Sequence, residues 1–170
     1  MDNWVTVDII KTYDYLCDSL KDRYCRLLLL TGNSVKKTDM LSCLWPQKCQ
    51  VIHVGQALSA LLLEKAKKQR TKSVSDFFSE MLVEDTVLRF TDIEILFSHE
   101  LNINPLKLFT GLARNRMVIV NWPGVFDFSR NKLKYSEPEY SDFFCEDMTD
   151  DILFLDESGR NSLNKTTGRS

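Results

Sequence analysis

The sequence predicts an α/β domain of three layers, with a mostly parallel central sheet between helices. Two observations carry this expectation. Short continuous apolar runs alternate with amphipathic segments over most of the chain, the pattern of strands joined by helical crossovers. The runs themselves are rich in Leu, Val and Ile without polar alternation, which suits strands covered on both faces.

The elements follow in order. Residues 6–23, "TVDIIKTYDYLCDSLKDR", place Val7, Ile10, Tyr13, Leu16, Cys17 and Leu20 at helical spacing, so an amphipathic first helix is expected. "RLLLLT" (26–31) reads as a buried strand, "KTDMLSCL" (37–44) as a helix that stops before Pro46, and "CQVIHV" (49–54) as a second strand. "GQALSALLLEKAKKQR" (55–70) puts Ala57, Leu58, Leu61, Leu62 and Ala66 on one face of a helix. "SVSDFFSEML" (73–82) opens another with Ser73 in N-cap position. "TVLRF" (86–90) is a third strand, interrupted by Arg89, "NPLKLFTGLARN" (104–115) a helix with proline in its first turn, and "MVIVNW" (117–122) a fourth strand. "KLKY" (132–135) is a weaker, edge-like strand after the Pro123-Gly124 turn. Residues 1–140 are thus expected to form the domain. Residues 141–170 are expected to be a largely disordered tail, acidic and hydrophobic in "SDFFCEDMTDDILFLDE" and polar in "SGRNSLNKTTGRS".

At 170 residues the chain is long enough for one domain with a sizeable core and too short for two of ordinary size. A net charge of -2 supplies no global field toward nucleic acid or an anionic membrane, so any nucleic-acid contact must be local. The opening "MDNWVTVDII" lacks a basic region followed by a long apolar stretch, and no window reaches the roughly 18 apolar residues needed to cross a bilayer. A cytoplasmic protein without membrane contact is expected. Five cysteines form no C-x-x-C pair and the two histidines, His53 and His99, are far apart, so neither a disulfide framework nor a zinc site is expected.

"LLLLTGNSVKKTDML" (27–41) joins a buried strand, one glycine, a Lys-Thr pair and the start of a helix. That is the outline of a phosphate-binding loop, G-x-x-x-x-G-K-[ST], in which glycines let backbone N–H groups wrap the phosphates, Lys neutralises charge and Ser/Thr binds magnesium. Aligned on Lys37-Thr38, the first glycine position falls on Thr31 and the second on Lys36, with Gly32 shifted by one. A left-handed backbone at Lys36 would cost on the order of 1–2 kcal/mol. An ordinary strand-to-helix turn with a surface lysine pair accounts for the same residues.

"FTDIEILFSHELNINPLKLFTGLARNRMVIVNWPG" (90–124) adds context. It contains, in order, Thr91-Asp92-Ile93-Glu94-Ile95-Leu96-Phe97, Pro105-Leu106-Lys107-Leu108-Phe109, Ala113-Arg114-Asn115-Arg116, the strand at 117–121 and Trp122-Pro123-Gly124. "ALSALLLEKAKKQR", ending in Gln69-Arg70, precedes it and "EPEY" (137–140) follows. Over about residues 22–140 the chain closely resembles the BrxF family, small P-loop proteins of type 3 BREX phage-defence systems. The resemblance implies a P-loop NTPase-like fold, a bacterial setting, and ATP with Mg2+ as ligands. Gly32, Lys36, Lys37 and Thr38 would then lie at the phosphates, Asn121 would be a polar sensor, and Thr38 and Asp92 would hold the metal. Glu94 would polarise water, and Arg114 or Arg116 would reach the phosphates in cis or from a neighbouring copy, which makes a homo-oligomer a candidate.

The chain departs from the family where the chemistry lies. The family's leading Asp aligns with Thr91 and the carboxylate has moved to Asp92, a shift that reverses the direction of a strand side chain. Both nucleotide motifs are thus eroded together, which points to relaxed or lost hydrolysis. Other readings remain open at each residue. Asp92 could cap a following helix with Glu94 in its first turn, the arginines could be solvated at a helix end, and Asn121 could begin a turn. Lys65, Lys67, Lys68, Arg70 and Lys72 form either a salt-sensitive DNA contact or the wet end of a helix. Two functions are therefore carried forward. One is a nucleotide-binding accessory subunit of a BREX-like defence system with weak or no hydrolysis, and the other is a non-enzymatic pseudo-NTPase scaffold that assembles with larger defence proteins or DNA.

Overall fold

A computed structural model of the chain describes residues 3–32, 49–80, 87–137, 140–147, 149 and 151–162. The helix expected at 37–44 lies outside them, as do Lys36, Lys37 and Thr38. Helix α1 (Asn3–Leu20) buries Ile9, Tyr13, Leu16 and Leu20, whose spacing of three or four residues lines them along one stripe. Strand β1 (Leu27–Thr31) is buried at every position. Leu28 and Leu30 meet the α1 stripe, while Leu27 and Leu29 enter a second cluster on the opposite face. A strand without a polar side needs a layer on each face, and this one has both.

The second layer comes from the middle of the chain. Strand β2 (Cys49–His53) leads directly into α2 (Val54–Leu63), then α3 (Lys67–Ser79), strand β3 (Val87–Thr91), α4 (Pro105–Leu112) and strand β4 (Val118–Asn121). Helix α4 starts where expected, with Pro105 in its first turn and the Asn104 side chain accepting from the Lys107 amide at 3.1 Å. Val54, Leu58 and Leu62 of α2, Val74 and Phe78 of α3, and Leu106, Phe109 and Leu112 of α4 pack over Leu27, Leu29, Leu88, Phe90, Val118 and Val120. Phe78, Phe90 and Phe109 form the aromatic centre of this layer, with ring centroids 5.5, 6.0 and 5.1 Å apart.

The central sheet has the order β2-β3-β4-β1-β8, and all of its strand pairings are parallel. Strand β8 (Leu153–Asp156) corrects the expected tail. Ile152, Leu153, Phe154 and Leu155 are buried, and β8 pairs with β1 in register from Leu28↔Leu153 to Thr31↔Asp156. The carboxylates that suggested disorder lie outside this apolar run, with Asp151 exposed before it and Asp156 and Glu157 at its end. The boundary expected at residue 140 is not a boundary either. It falls inside an antiparallel sheet of β5 (Val125–Asp127), β6 (Lys132–Glu137) and β7 (Tyr140–Asp147), in the order β5-β6-β7. Phe126 joins this sheet to β8 by a ring contact with Phe154 at 3.9 Å, and Tyr135 packs on Phe97 at 4.2 Å. The single helix expected over 55–70 is broken. α2 ends at Leu63 and α3 begins at Lys67, so Ser73 lies inside α3, where its hydroxyl donates to the Gln69 carbonyl. Among the described residues no helix is long and apolar enough to cross a membrane.

Two stability tests follow from this packing. Phe109→Ala removes the ring shared by α4, α3 and β3, and should cost about 3–5 kcal/mol in denaturant unfolding. The second concerns the β5–β6 turn, where Asp127 accepts from the Ser129 hydroxyl (2.6 Å), the Ser129 and Arg130 amides and Lys134 Nζ (3.1 Å). The Ser129 bond and then Lys134 hold its carboxyl well below the usual carboxylate range. A folded pKa below the unfolded value stabilises above about pH 4 and is lost as pH falls through that region. Unfolding measured at about pH 6 and about pH 3 should therefore show a smaller acid loss for Asp127→Asn than for the unaltered chain.

Candidate functional site

In a parallel sheet, ligands sit beyond the carboxyl ends of the strands, at the point where neighbouring strands send the chain in opposite directions. Here that point is between β1 and β4. From β1 the chain travels to β2 at one edge, and from β4 it travels to β8 at the other. Thr31 and Gly32 lie at the end of β1 and Asn121 at the end of β4, opposite Leu30. The ends are tied by the Trp122 amide donating to the Leu30 carbonyl and the Gly32 amide donating to the Gly124 carbonyl, both at 2.9 Å.

The local chemistry is specific. Thr31 is fully buried and its Oγ1 has no hydrogen-bond partner. Half-buried Asn121 also holds its Oδ1 buried without a partner. Gly32 has φ 128, a conformation open to glycine because a Cβ would be strained there. That Cβ would also stand 2.9 Å from both Cδ and Oε2 of Glu157, so the carboxylate lies directly against the glycine. Lys36, Lys37 and Thr38 lie beyond Gly32 in the part outside the described residues.

The remaining expected residues are distributed differently. Asp92 follows β3 with φ 56, its carbonyl accepts from the Gly55 amide at 2.8 Å, and its carboxylate packs against Gly55. Gly55 is the second residue of α2, so this carboxylate sits at the positive end of a helix on the β2 side, with β4 between Asp92's strand and β1. It does not cap the segment that follows it. Ile93 occupies the N-cap position of the short 3-10 turn Glu94–Phe97, without a side-chain cap, and half-buried Glu94 starts that turn. Magnesium shared by Thr38 and Asp92 has only Asp92 among the described residues, and its carboxylate is turned to α2. Among the described residues no group of three or more His, Cys, Asp or Glu side chains could hold a metal ion.

Arg114 and Arg116 stand at the amino edge. Both precede β4, and the Arg26 amide donates to the Ala113 carbonyl beside them. The length of β4, roughly 13 Å at about 3.3 Å per residue, separates them from Asn121, so within one chain they do not face the β1 loop. Exposed Arg114 lies 5.9 Å from the centroid of the exposed Tyr24 ring. Arg116 is 3% exposed, and its Nε has no hydrogen-bond partner. Arg89, in the middle of β3, is 2% exposed within electrostatic reach of Tyr13 of α1, and burial lowers its pKa. Burial also pushes the Tyr13 phenol up, helped by Cys17 one turn later.

No family model, curated protein or solved structure matches this chain.

The basic run changes character with the helix break. Lys67 and Arg70 now occupy the first turns of α3, where the helix dipole disfavours positive charge, and Glu100 offsets both at 3.4 and 2.9 Å. Two cavities, of about 250 and 310 Å³, adjoin Glu100 and His99 respectively, away from Gly32. Three features escaped the sequence reading. His53 and Thr91 end neighbouring strands in register, and Thr91 Oγ1 lies 2.7 Å from His53 Nδ1. Gly55 receives Asp92. Glu157 reaches Gly32, a position visible only once "ILFL" is read as a strand.

Asp92 has a positive φ that glycine tolerates and alanine does not, so Asp92→Ala should be less stable than Asp92→Gly by on the order of 1 kcal/mol in denaturant unfolding.

Proposed function

We propose that this chain is a cytoplasmic accessory subunit of a BREX-like bacterial phage-defence assembly that binds ATP at the carboxyl edge of its sheet with little or no hydrolysis. The binding half is supported by one observation, the switch point between β1 and β4 with Thr31, Gly32 and Asn121 at its mouth. Gly32 and Lys36 complete the loop, Lys37 offsets phosphate charge, and Thr38 is the hydroxyl for Mg2+. ATP and Mg2+ supply the polyphosphate and its counter-ion. The assembly half rests on the resemblance over about residues 22–140.

Weak or absent turnover follows from the positions of the other groups. Asp92 is engaged at α2. Arg114 or Arg116 would act only on the loop of a second copy, so any turnover belongs to a homo-oligomer. A second reading, the non-enzymatic scaffold, is favoured by the Gly32 amide, which is committed to Gly124 instead of an anion. In that reading partners are larger defence proteins, or DNA through Lys65, Lys68 and Lys72 with Lys67 and Arg70 partly offset by Glu100.

Titration with labelled ATP and Mg2+ should saturate, and Lys37→Ala should weaken binding by about tenfold or more, equivalent to roughly 1.4 kcal/mol. No saturation at millimolar nucleotide would leave the scaffold.

A further inference from the structure

We propose that the surface where α2 gives way to α3 is a docking site for an acidic peptide segment of another protein, held by one apolar anchor side chain and the carboxylates around it. The inference stands whether or not the β1 loop holds nucleotide. It starts from a cavity of about 250 Å³ whose apolar wall is Leu62, Leu63, Ile95 and Leu101 and whose polar rim includes Ser59 and Arg70. That volume is below the roughly 300 Å³ at which pockets for drug-sized molecules begin, and it suits a single leucine or phenylalanine side chain. Leu63 is 83% exposed, more than any other large apolar side chain described. The wall around it is fixed in advance. Arg70 donates from Nη1 to Glu100 at 2.9 Å and from Nε to the Lys65 carbonyl at 3.3 Å, while the Thr71 hydroxyl donates to the Leu101 carbonyl at 2.7 Å. These bonds tie the start of α3 to the helix break and to the 3-10 turn His99–Leu101, so an anchor enters a formed site with little ordering cost.

Charge decides the occupant. Between Leu63 and Lys72 the chain carries five basic side chains, Lys65, Lys67, Lys68, Arg70 and Lys72, against one carboxylate, Glu64. Glu100, which also lines the cavity, offsets Lys67 and Arg70, whereas Lys65, Lys68 and Lys72 make no ion pair among the described residues. The first turn of α3 holds no acidic residue of its own, so a partner carboxylate would gain from the lysines and from the helix dipole together. A second copy of the chain would bring the same excess of positive charge to the same place, and like charges across an interface oppose association. Duplex DNA would satisfy the lysines and leave Leu63 and the cavity unused. An acidic segment with one apolar residue uses both, as an anchor filling a pocket inside a polar rim.

The experiment measures fluorescence polarisation of labelled peptides of about ten residues, alternating Asp and Glu around a central Leu, Phe or Ala. They are titrated with the unaltered chain, with Leu63→Ala and with the double variant Lys65→Glu, Lys68→Glu. The altered side chains are exposed, and thermal unfolding run in parallel confirms that each variant is folded. The Leu or Phe peptide should bind, with the Ala peptide weaker by about fivefold or more. Leu63→Ala should lose about fivefold and the charge-reversed variant about tenfold, with affinity falling as salt rises. Failure of both the Leu and the Phe peptide to bind at about millimolar concentration overturns the proposal. Binding indifferent to the central residue and to Leu63 also overturns it, and tighter binding of labelled duplex DNA would then assign the surface to nucleic acid. Dimerisation in light scattering that Leu63→Ala abolishes overturns it in favour of a second copy.

Discussion

The burial of β1 on both faces is the constraint from which the architecture follows. Leu27, Leu28, Leu29 and Leu30 present no polar side, and burying each such side chain is worth about 1.5–3 kcal/mol. That burial requires α1 on one face and α2, α3 and α4 on the other, with strands on both flanks to satisfy the backbone. The carboxyl end of β1 consequently opens into the interior of the sheet edge, between β4 and β8. Thr31 and Gly32 are held there by the turn at Trp122–Gly124, where the indole Nε1 donates to the Lys134 carbonyl and Gly124 lies against that same peptide group.

The same parallel arrangement keeps groups apart that sequence proximity would bring together. In a parallel sheet all strand ends lie along one edge and all strand starts along the other. His53, Thr91, Asp92, Asn121 and Glu157 therefore share the carboxyl edge, while Arg26, Arg114 and Arg116 share the amino edge.

Much of the scaffold was legible in the residues. The continuous apolar runs at 27–30 and 118–120 are strands buried on both sides, 87–90 forms a third strand despite Arg89, and Pro105 with Asn104 marks the start of α4. Arg89 did not break its strand, because a flat guanidinium on a long stem can be accommodated under α1 near Tyr13. The helix break at 64–66 was hidden because the apolar face continues to Ala66 while the backbone there turns extended. Strand β8 was hidden by its flanking carboxylates, although "ILFL" has the same grammar as "LLLL". At the site, Asp92 was legible as a displaced carboxylate but its packing on Gly55 was not, since β2 and β3 become neighbours only through tertiary pairing. The contact of Glu157 with Gly32 spans most of the chain, beyond any local pattern.

That span has a consequence for how the chain is made. β8 can join β1 only after the residues between them, 32 to 152, have been synthesised, and pairing so distant in sequence is slow to form. Until it docks, β1 is an edge strand with unpaired amides and a leucine-rich surface, the kind of template on which nascent chains aggregate. β8 is therefore a closing seal for β1, and premature termination within it would threaten solubility before it touched any chemistry.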